Sequence, residues 1–143
     1  ISKKPNIIKR VTRLLGFFDD PFPIKDFLKL LQDVTSAQKM RGRLGDFIIG
    51  TPLNLNDKII VFGNIQGAFH SLVRDLQELF KQGIIDNDLK IIDSHYKIFF
   101  NGTAVSRSPF IFQTLFVICL LIQKNPDQVF YLKSDYEKEG LWH

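Results

Sequence analysis

The stretch "IIVFGNIQGAFHSLVRDLQELF", residues 59–80, runs from an apolar strand through a glycine-bracketed turn into an amphipathic helix. A turn of this layout usually presents acidic and imidazole side chains to a metal ion or a phosphate group. Between its glycines this chain carries Asn64 and Gln66, whose side chains are neutral amides. The sequence therefore predicts a turn with the backbone of a reactive loop. The two positions where reactive side chains are expected, Asn64 and Gln66, carry groups that do not ionise.

The composition of the chain is that of a globular protein. It has 143 residues, of which 45% are hydrophobic and 24% charged, and this length suits one domain with one core. Its single cysteine, Cys119, excludes an internal disulfide and favours a reducing compartment, so we expect a cytoplasmic location. The apolar run at 110–122 is shorter than the roughly 20 residues of a membrane span. We therefore predict no membrane span and a buried Cys119.

Positive charge is concentrated in the first part of the chain. Residues 1–43 contain ten Lys and Arg against four Asp, whereas the whole chain has a net charge of +4. Such a region forms a solvated helix face, or it meets an acidic protein, a membrane surface or nucleic acid. Aromatic residues do not alternate with the basic ones, and no nucleic-acid-binding motif is present. We therefore expect no nucleic-acid partner and leave an acidic partner open.

Two amphipathic helices are predicted before the first strand. "PNIIKRVTRLLG", residues 5–16, begins near a proline and ends at a glycine, and "PIKDFLKLLQDVTSAQKMRG", residues 23–42, repeats apolar residues at helical spacing. The residues predicted to form the apolar stripe of the second helix are Ile24, Phe27, Leu28, Leu31 and Val34. Together the two segments predict a helical N-terminal extension over residues 1–45.

From residue 58 onward, apolar strands alternate with helices. The predicted strands are 58–62, 89–92, 97–100 and 128–132, and the predicted helices are 68–83 and 109–125. This order predicts an α/β fold with a parallel or mixed sheet covered by helices. Ligands of such sheets bind in the loops at the carboxyl ends of the strands. The loops that the sequence places there are 63–67, 101–108 and 133–137.

The three loops together resemble those of one enzyme family. "GNIQG" at 63–67, "NGTAVSRSP" at 101–109 and "LKSDYE" at 132–137 are similar to the Gly-Asp-x-His-Gly, Gly-Asp-x-x-Asp-Arg-Gly and Arg-Gly-Asn-His-Glu loops of the metal-dependent phosphoprotein phosphatases. These enzymes belong to the calcineurin-like metallophosphoesterases, and the resemblance is closest to bacterial members. It covers roughly residues 58–139, and it implies that residues 46–143 are the N-terminal half of an αββα sandwich.

The resemblance assigns a family role to six positions, and all six carry a different residue here. It places Asn64 and Gln66 at the metal-ligating aspartate and histidine of the first loop. It places Thr103 at the bridging aspartate and Asp135 at the asparagine ligand. The remaining two positions are those of the proton-donating histidine and the aspartate that orients it, here Tyr136 and Ser106. We therefore expect a degenerate family member with no catalytic residue, no bound metal and no cofactor.

Other residues match the family pattern. Gly63, Gly67 and Gly102 are expected to keep the tight turns after the strands, and Pro109 is expected at the first position of the following helix. Arg107 matches a family residue that clamps phosphate oxygens. Two interpretations of Arg107 stay open, namely residual anion binding and an ion pair with Asp135 or Glu137. None of the three histidines, His70, His95 and His143, falls at a family ligand position.

Three functions remain as hypotheses. The first is a catalytically inactive phosphatase-like domain that serves as a structural or protein-interaction subunit of a larger bacterial assembly, such as a signalling or secretion apparatus. The second is a metal-free binder of phosphopeptides or nucleotides centred on Arg107. The third is a residual metal-dependent phosphoesterase. The loss of the carboxylates favours the first, because carboxylates offset the charge of bound metal ions.

Overall fold

In a computed structural model, residues 11, 22–43, 50–104 and 108–134 are described. Within these ranges the chain forms three helices, α1 (Ile24–Met40), α2 (Phe69–Lys81) and α3 (Ile111–Lys124). It also forms three strands, β1 (Lys58–Phe62), β2 (Tyr96–Asn101) and β3 (Val129–Leu132). The predicted α/β class is confirmed. The αββα sandwich implied by the resemblance stays a prediction.

The three strands form one parallel sheet in the order β1-β2-β3. Val61 of β1 pairs with Phe99 of β2, which pairs with Phe130 of β3. Because side chains alternate along a strand, the sheet has two faces. The covered face comprises Ile60, Phe62, Ile98, Phe100, Val129 and Tyr131, which belong to or pack against the hydrophobic core. The open face comprises Ile59, Val61, Lys97, Phe99, Phe130 and Leu132.

The helices complete the core on the covered face. From α2, Phe69, Leu72 and Leu76 are buried in the same cluster as Val117 and Leu121 of α3. Cys119 is buried as predicted, and this burial raises the pKa of its thiol to about 11. Since the thiolate is the reactive form of cysteine, a thiol with this pKa is inert near neutral pH.

Helix α1 packs on α3, and aromatic rings form much of the contact between the two helices. Phe27, Leu30 and Val34 are the buried residues of α1. The rings of Phe22 and Phe27 lie 6.0–6.3 Å from those of Phe112 and Phe116 on α3.

Two arginines just after the C-terminal end of α1 contact the segment that contains β3. Arg41 forms an ion pair with Asp127, and the guanidinium of Arg43 lies over the ring of Phe130 at 5.1 Å from its centroid. Arg43 thus covers one residue of the otherwise open sheet face.

The predicted apolar stripe of α1 is only partly correct. Phe27 and Val34 are buried as expected, but the third buried residue is Leu30. Ile24, Leu28 and Leu31 are 47%, 51% and 40% exposed. The apolar arc of this helix is wider than the side that α3 contacts, so helical spacing alone cannot tell which part faces the core. The other predicted helix, 5–16, lies outside the described residues except for Val11, which is helical and buried.

The strand predicted at 89–92 is wrong. This segment makes a single antiparallel bridge, between Ile85 and Ile91, and otherwise forms turns. Asp86 causes the departure, because its carboxylate accepts hydrogen bonds from the backbone N–H groups of Asp88 and Lys90, at 2.8 and 2.9 Å. Leu89 within this turn has a φ of 61°, which no strand residue adopts.

The remaining boundaries differ from the predictions by a few residues. The sequence predicts Pro109 at the first helical position, but α3 begins at Ile111 and Pro109 lies in the preceding turn. The apolar run at 110–122 mostly forms α3, a helix of 14 residues. Among the described residues, none of the helices has the length and apolar character needed to cross a bilayer, in agreement with the prediction for this run.

Candidate functional site

The candidate site is the edge of the sheet where the three strands end. Because the strands are parallel, the described parts of the loops at 63–68, 101–104 and 133–134 all lie at this edge. The backbone N–H of Gln66 donates a hydrogen bond to the carbonyl oxygen of Thr103 at 2.7 Å. This bond joins the first loop to the second, so the structure brings together two of the positions that the sequence singles out.

Gly67 allows the first loop to lie directly against the start of α3. Its φ is +70°, and a Cβ atom built there would come within 2.5 Å of Ser108 Cβ and 2.8 Å of Ser108 Oγ. The Ser108 hydroxyl donates to the Gly67 carbonyl oxygen at 2.9 Å and accepts from the Phe110 N–H at 3.2 Å. Glycine is therefore required at 67, as predicted. The sequence prediction does not include this role of Ser108, although serine shortly before an apolar helix is a common capping signal.

Gly102 provides the corresponding contact between the second and third loops. Its φ is +64°, and an added Cβ would lie 2.7 Å from Ser134 Cβ and 3.0 Å from the Leu132 carbonyl oxygen. Gly63 is different, because its φ is not positive and nothing lies within 4 Å of the position that a Cβ atom would take. The prediction that the turn needs glycine is thus correct at Gly67 and Gly102 and wrong at Gly63.

Two of the positions that the sequence singles out have an unusual backbone. Gln66 and Thr103 have φ values of 50° and 51°, in the left-handed region. Asn and Asp tolerate this region far better than a β-branched residue such as Thr, for which it costs of order 1–3 kcal/mol. Asn64 and Gln66 are exposed, whereas Thr103 is 6% exposed. The strain in the described loops is therefore located where the first and second loops meet.

The described part of the three loops carries no carboxylate and no imidazole. Its only charged side chain is that of Lys133, and the nearest histidine in the sequence, His70, is exposed in the first turn of α2. The ring of His70 contacts that of Phe110 at 4.9 Å. Nowhere in the described ranges do three His, Cys, Asp or Glu side chains form a group suited to a metal ion.

The remaining candidate residues cannot be placed in this site. Ser106 and Arg107 of the second loop lie outside the described residues, as do Asp135, Tyr136 and Glu137 of the third. Their assigned roles stay predictions, and so do both interpretations of Arg107. The site as the structure describes it therefore consists of Asn64, Gln66 and Thr103 with their glycine and serine neighbours.

Within the described residues, an Asp–His pair lies at the opposite end of the sheet. Asp57 and His95 precede β1 and β2, and Asp57 Oδ1 is 3.1 Å from His95 Nδ1. Asp57 also accepts a hydrogen bond from the Asn54 N–H at 3.0 Å. The pKa of the Asp57 carboxyl lies below its ordinary value, mainly because of this bond and secondly because of the hydrogen bond with the His95 ring. The pair joins the beginnings of two strands.

Asn125 is an extensively bonded polar side chain that the sequence pattern does not single out. It is 2% exposed at the end of α3. Its amide donates to the carbonyl oxygens of Leu89 and Leu121 at 2.8 and 3.0 Å, and its oxygen accepts from the Ile91 N–H at 2.7 Å. In the sequence, an asparagine at the end of an apolar helix and just before a proline is only a weak signal for a buried, hydrogen-bonded amide. Asn125 holds the turn at 86–91 from across the fold, and together with the Asp86 carboxylate it explains why that segment is not a strand.

Comparisons with known proteins identify no relative of this chain. No protein-family profile matches the chain, and no curated protein matches it at a significant level. The resemblance to the metallophosphoesterases therefore depends on the three loops and on the order of strands and helices around them.

Proposed function

We propose that this chain is a non-catalytic phosphatase-like domain that acts as a structural or protein-interaction subunit of a larger assembly. One observation carries the proposal. The strand-end loops are packed tightly around Gly67 and Gly102, while the described part of these loops offers no carboxylate or imidazole. Loops that resemble a metallophosphoesterase site are thus combined with side chains unsuited to its chemistry.

The charge requirement of the family's reaction supports this proposal. Two divalent cations about 3.7 Å apart repel each other by about 18 kcal/mol even at an effective dielectric constant of about 20. Carboxylates normally offset this repulsion, and neutral oxygens only supplement them. Asn64, Gln66 and Thr103 provide neutral groups at three of the positions concerned. A pair of metal ions bridged at Thr103 is therefore unfavourable.

The exposed sheet face supports the interaction role. Parallel sheets are normally covered on both faces, because each βαβ crossover places a helix against the sheet. Here the open face leaves Ile59, Val61 and Leu132 at 50%, 62% and 43% exposure. Exposed apolar surfaces of this kind are typical of interaction sites, which supports the proposal. A partner protein that covers Ile59 and Val61 would supply the layer that normally packs against the second face of a parallel sheet.

A hydrolysis assay tests the loss of catalysis. We expect the chain to hydrolyse no generic phosphoester, such as p-nitrophenyl phosphate, in the presence of Mn²⁺. The matched variant Asn64→Asp/Gln66→His/Thr103→Asp restores three family side chains on the same loops, and calorimetry should show that it gains Mn²⁺ affinity. Turnover by the wild-type chain that a chelator abolishes would refute the proposal.

Light scattering after size exclusion tests the interaction role. The chain is compared alone and in native lysate with the variant Ile59→Lys/Val61→Lys, which adds charge to the open face. We expect a protein to co-purify with the wild-type chain and to be lost from the variant. A wild-type chain that remains a monomer without any bound protein would contradict this role.

A further inference from the structure

The junction between β2 and the second loop contains the chain's only Asn-Gly pair. Asn101 is the last residue of β2, and Gly102 begins the loop. The side-chain carbonyl carbon of an asparagine is open to attack by the backbone nitrogen of the next residue, because the ring that forms is small and unstrained. A following glycine favours this attack, since it has no Cβ atom to shield the nitrogen or to restrict the backbone. Every other asparagine of the chain precedes Ile, Leu, Asp or Pro.

The side chain of Asn101 is accessible. Asn101 is exposed, and no described residue forms a hydrogen bond with its side-chain amide. Asn125 is the opposite case, because it is buried, three hydrogen bonds hold its amide, and the proline that follows it has no N–H group. Asn64 is exposed like Asn101 but precedes the β-branched Ile65. Among the described asparagines, only Asn101 combines an accessible amide with an unshielded neighbouring nitrogen.

The sheet restrains Asn101 at its last pair of residues. Asn101 pairs with Leu132, and no later pair of β2 with β3 follows. At Gly102 the chain turns out of the sheet with a φ of +64°. The ends of strands open at a lower cost in free energy than the core of a fold. The rotation that brings the Gly102 nitrogen to the Asn101 side chain therefore requires fraying of one strand end and no unfolding of the core.

We propose that Asn101 is a site of spontaneous deamidation. The backbone nitrogen of Gly102 forms a bond to Cγ of Asn101 and loses its proton, and the side-chain nitrogen leaves as ammonia. Water then opens the resulting succinimide ring at one or the other of its carbonyl carbons, which gives aspartate or isoaspartate. The reaction needs water and no oxidant, reductant or metal ion. Each product carries a carboxylate, which is ionised at neutral pH, in place of a neutral amide.

Deamidation would change the candidate site, at whose edge of the sheet Asn101 lies. Both products add a carboxylate there, where the described parts of the loops carry none. Isoaspartate also lengthens the main chain by one carbon atom just before Gly102. Gly102 is closely packed, since an added Cβ would lie 2.7 Å from Ser134 Cβ. We therefore expect isoaspartate to loosen the second loop, including the hydrogen bond from the Gln66 N–H to the Thr103 carbonyl oxygen.

Ageing of the full chain tests this proposal. Folded protein is incubated in a mildly alkaline buffer and digested with trypsin, which releases residues 98–107 as one peptide. Mass spectrometry, with fragmentation that separates aspartate from isoaspartate, measures the conversion of each asparagine. We expect Asn101 to convert at least about tenfold faster than Asn64, a factor that corresponds to about 1.4 kcal/mol in activation free energy. A parallel sample in urea gives the rate of conversion without the sheet.

Two variants separate the effects of charge and of backbone length. Asn101→Gln should not convert, because its longer side chain forms the ring far more slowly. Asn101→Asp carries the added carboxylate on an ordinary backbone. Amide hydrogen exchange at Gln66 should become faster in the aged wild type, and it should stay unchanged on ageing in both variants. Circular dichroism checks that both variants are folded.

Conversion of Asn101 that is no faster than that of Asn64 in the folded chain would overturn the proposal. This holds even if Asn101 converts rapidly in urea, because the sheet would then protect it. An equal gain in mass by aged Asn101→Gln would also overturn it, since the lost amide would belong to another residue. None of these measurements involves phosphoester hydrolysis or a partner protein, so this inference and the proposed function fail independently.

Discussion

At the amino end of the sheet, carboxylate and amide side chains hold the turns, whereas at the carboxyl end close backbone packing does most of this. Before the strands, Asp57, Asp93 and Asn125 accept or donate hydrogen bonds that fix the chain entering β1, β2 and β3. After the strands, contact between the loops depends on the missing side chains of Gly67 and Gly102, on one backbone hydrogen bond and on the Ser108 hydroxyl, which donates to the Gly67 carbonyl oxygen. Carboxylate and amide side chains thus hold the turns at one end, whereas the described parts of the loops at the other end carry no carboxylate and no imidazole.

This difference indicates how a loop can keep its backbone shape independently of the chemistry of its side chains. Close packing at Gly67 and Gly102 constrains backbone shape without constraining the exposed side chains of Asn64 and Gln66. Those side chains can then vary, because the packing of the loops does not depend on their acidity. The amino end has no such freedom, because its carboxylates and amides form the hydrogen bonds that hold the turns before the strands.

The largest effect is expected at Asn125. The substitution Asn125→Leu leaves the Leu89 carbonyl and the Ile91 N–H buried without this amide, and it should lower the free energy of unfolding by about 3 kcal/mol. Urea denaturation followed by circular dichroism measures this change. The control Gln123→Leu, at an exposed position of the same helix, should change it by less than about 0.5 kcal/mol. Equal effects of the two variants would contradict the fastening role of Asn125.

Gly67 tests the carboxyl end in the same way. Gly67→Ala places a methyl group against Ser108 in a left-handed backbone and should cost about 2 kcal/mol. In a Ser108→Gly background the clash is absent, so the cost of Gly67→Ala should fall to about 1 kcal/mol. Gly63→Ala is the matched control and should be nearly neutral. If Gly63→Ala costs as much as Gly67→Ala, the assigned packing of the first loop is wrong.

A smaller, stabilising effect is expected at Gln66. Because asparagine adopts the left-handed backbone more readily than glutamine, Gln66→Asn should raise the free energy of unfolding by about 0.5 kcal/mol. The backbone bond from residue 66 to Thr103 is unaffected. The same change at Gln77, within α2, should be slightly destabilising because asparagine is a poorer helix former. Thermal melting of the two variants compares them, and a loss of stability in Gln66→Asn would argue against backbone strain.

The smallest effect is a change in pH dependence at the amino end. The Asn54 N–H, and next the His95 ring, lower the pKa of folded Asp57 below its ordinary value of 3.8. The ionised carboxyl therefore stabilises the fold above the ordinary pKa, and this contribution is lost as the pH falls through the lower folded value. Asp57→Asn should flatten the acid limb of a plot of unfolding free energy against pH, and His95→Ala should flatten it less. Superimposable acid limbs for the wild type and Asp57→Asn would refute this assignment.

Much of the fold could be predicted because it depends on local patterns. Apolar runs identified all three strands, and helical spacing identified all three described helices. The error at 89–92 arose because "LKII" has strand composition, whereas the Asp86 carboxylate turns the chain and a distant side chain, Asn125, binds the backbone of Leu89 and Ile91. Contacts made across the fold leave no trace in a local pattern. The same applies to α1, where only the position of α3 decides which apolar residues are buried.

The candidate site was predictable in its backbone and less so in its contacts. Glycines after apolar strands indicated tight turns, and two of the three have the close neighbours that require glycine. Ser108 and the Gln66–Thr103 hydrogen bond could not be inferred, because they depend on how two loops separated along the chain meet. The sequence did reveal where the loops differ from those of the family that they resemble, since residue identity needs no structure.

The parallel order of the strands also governs how fast the chain reaches its folded state. Lys58 and Tyr96, which begin adjacent strands, are 38 residues apart along the chain, and Ile98 and Val129 are separated by a crossover of similar kind. Each pairing must therefore close a long loop, with its entropic cost, before any hydrogen bond of the sheet forms. Helices α2 and α3 form from neighbouring residues and shorten these loops. We therefore expect the docking of preformed helices, rather than strand pairing, to limit the rate of folding.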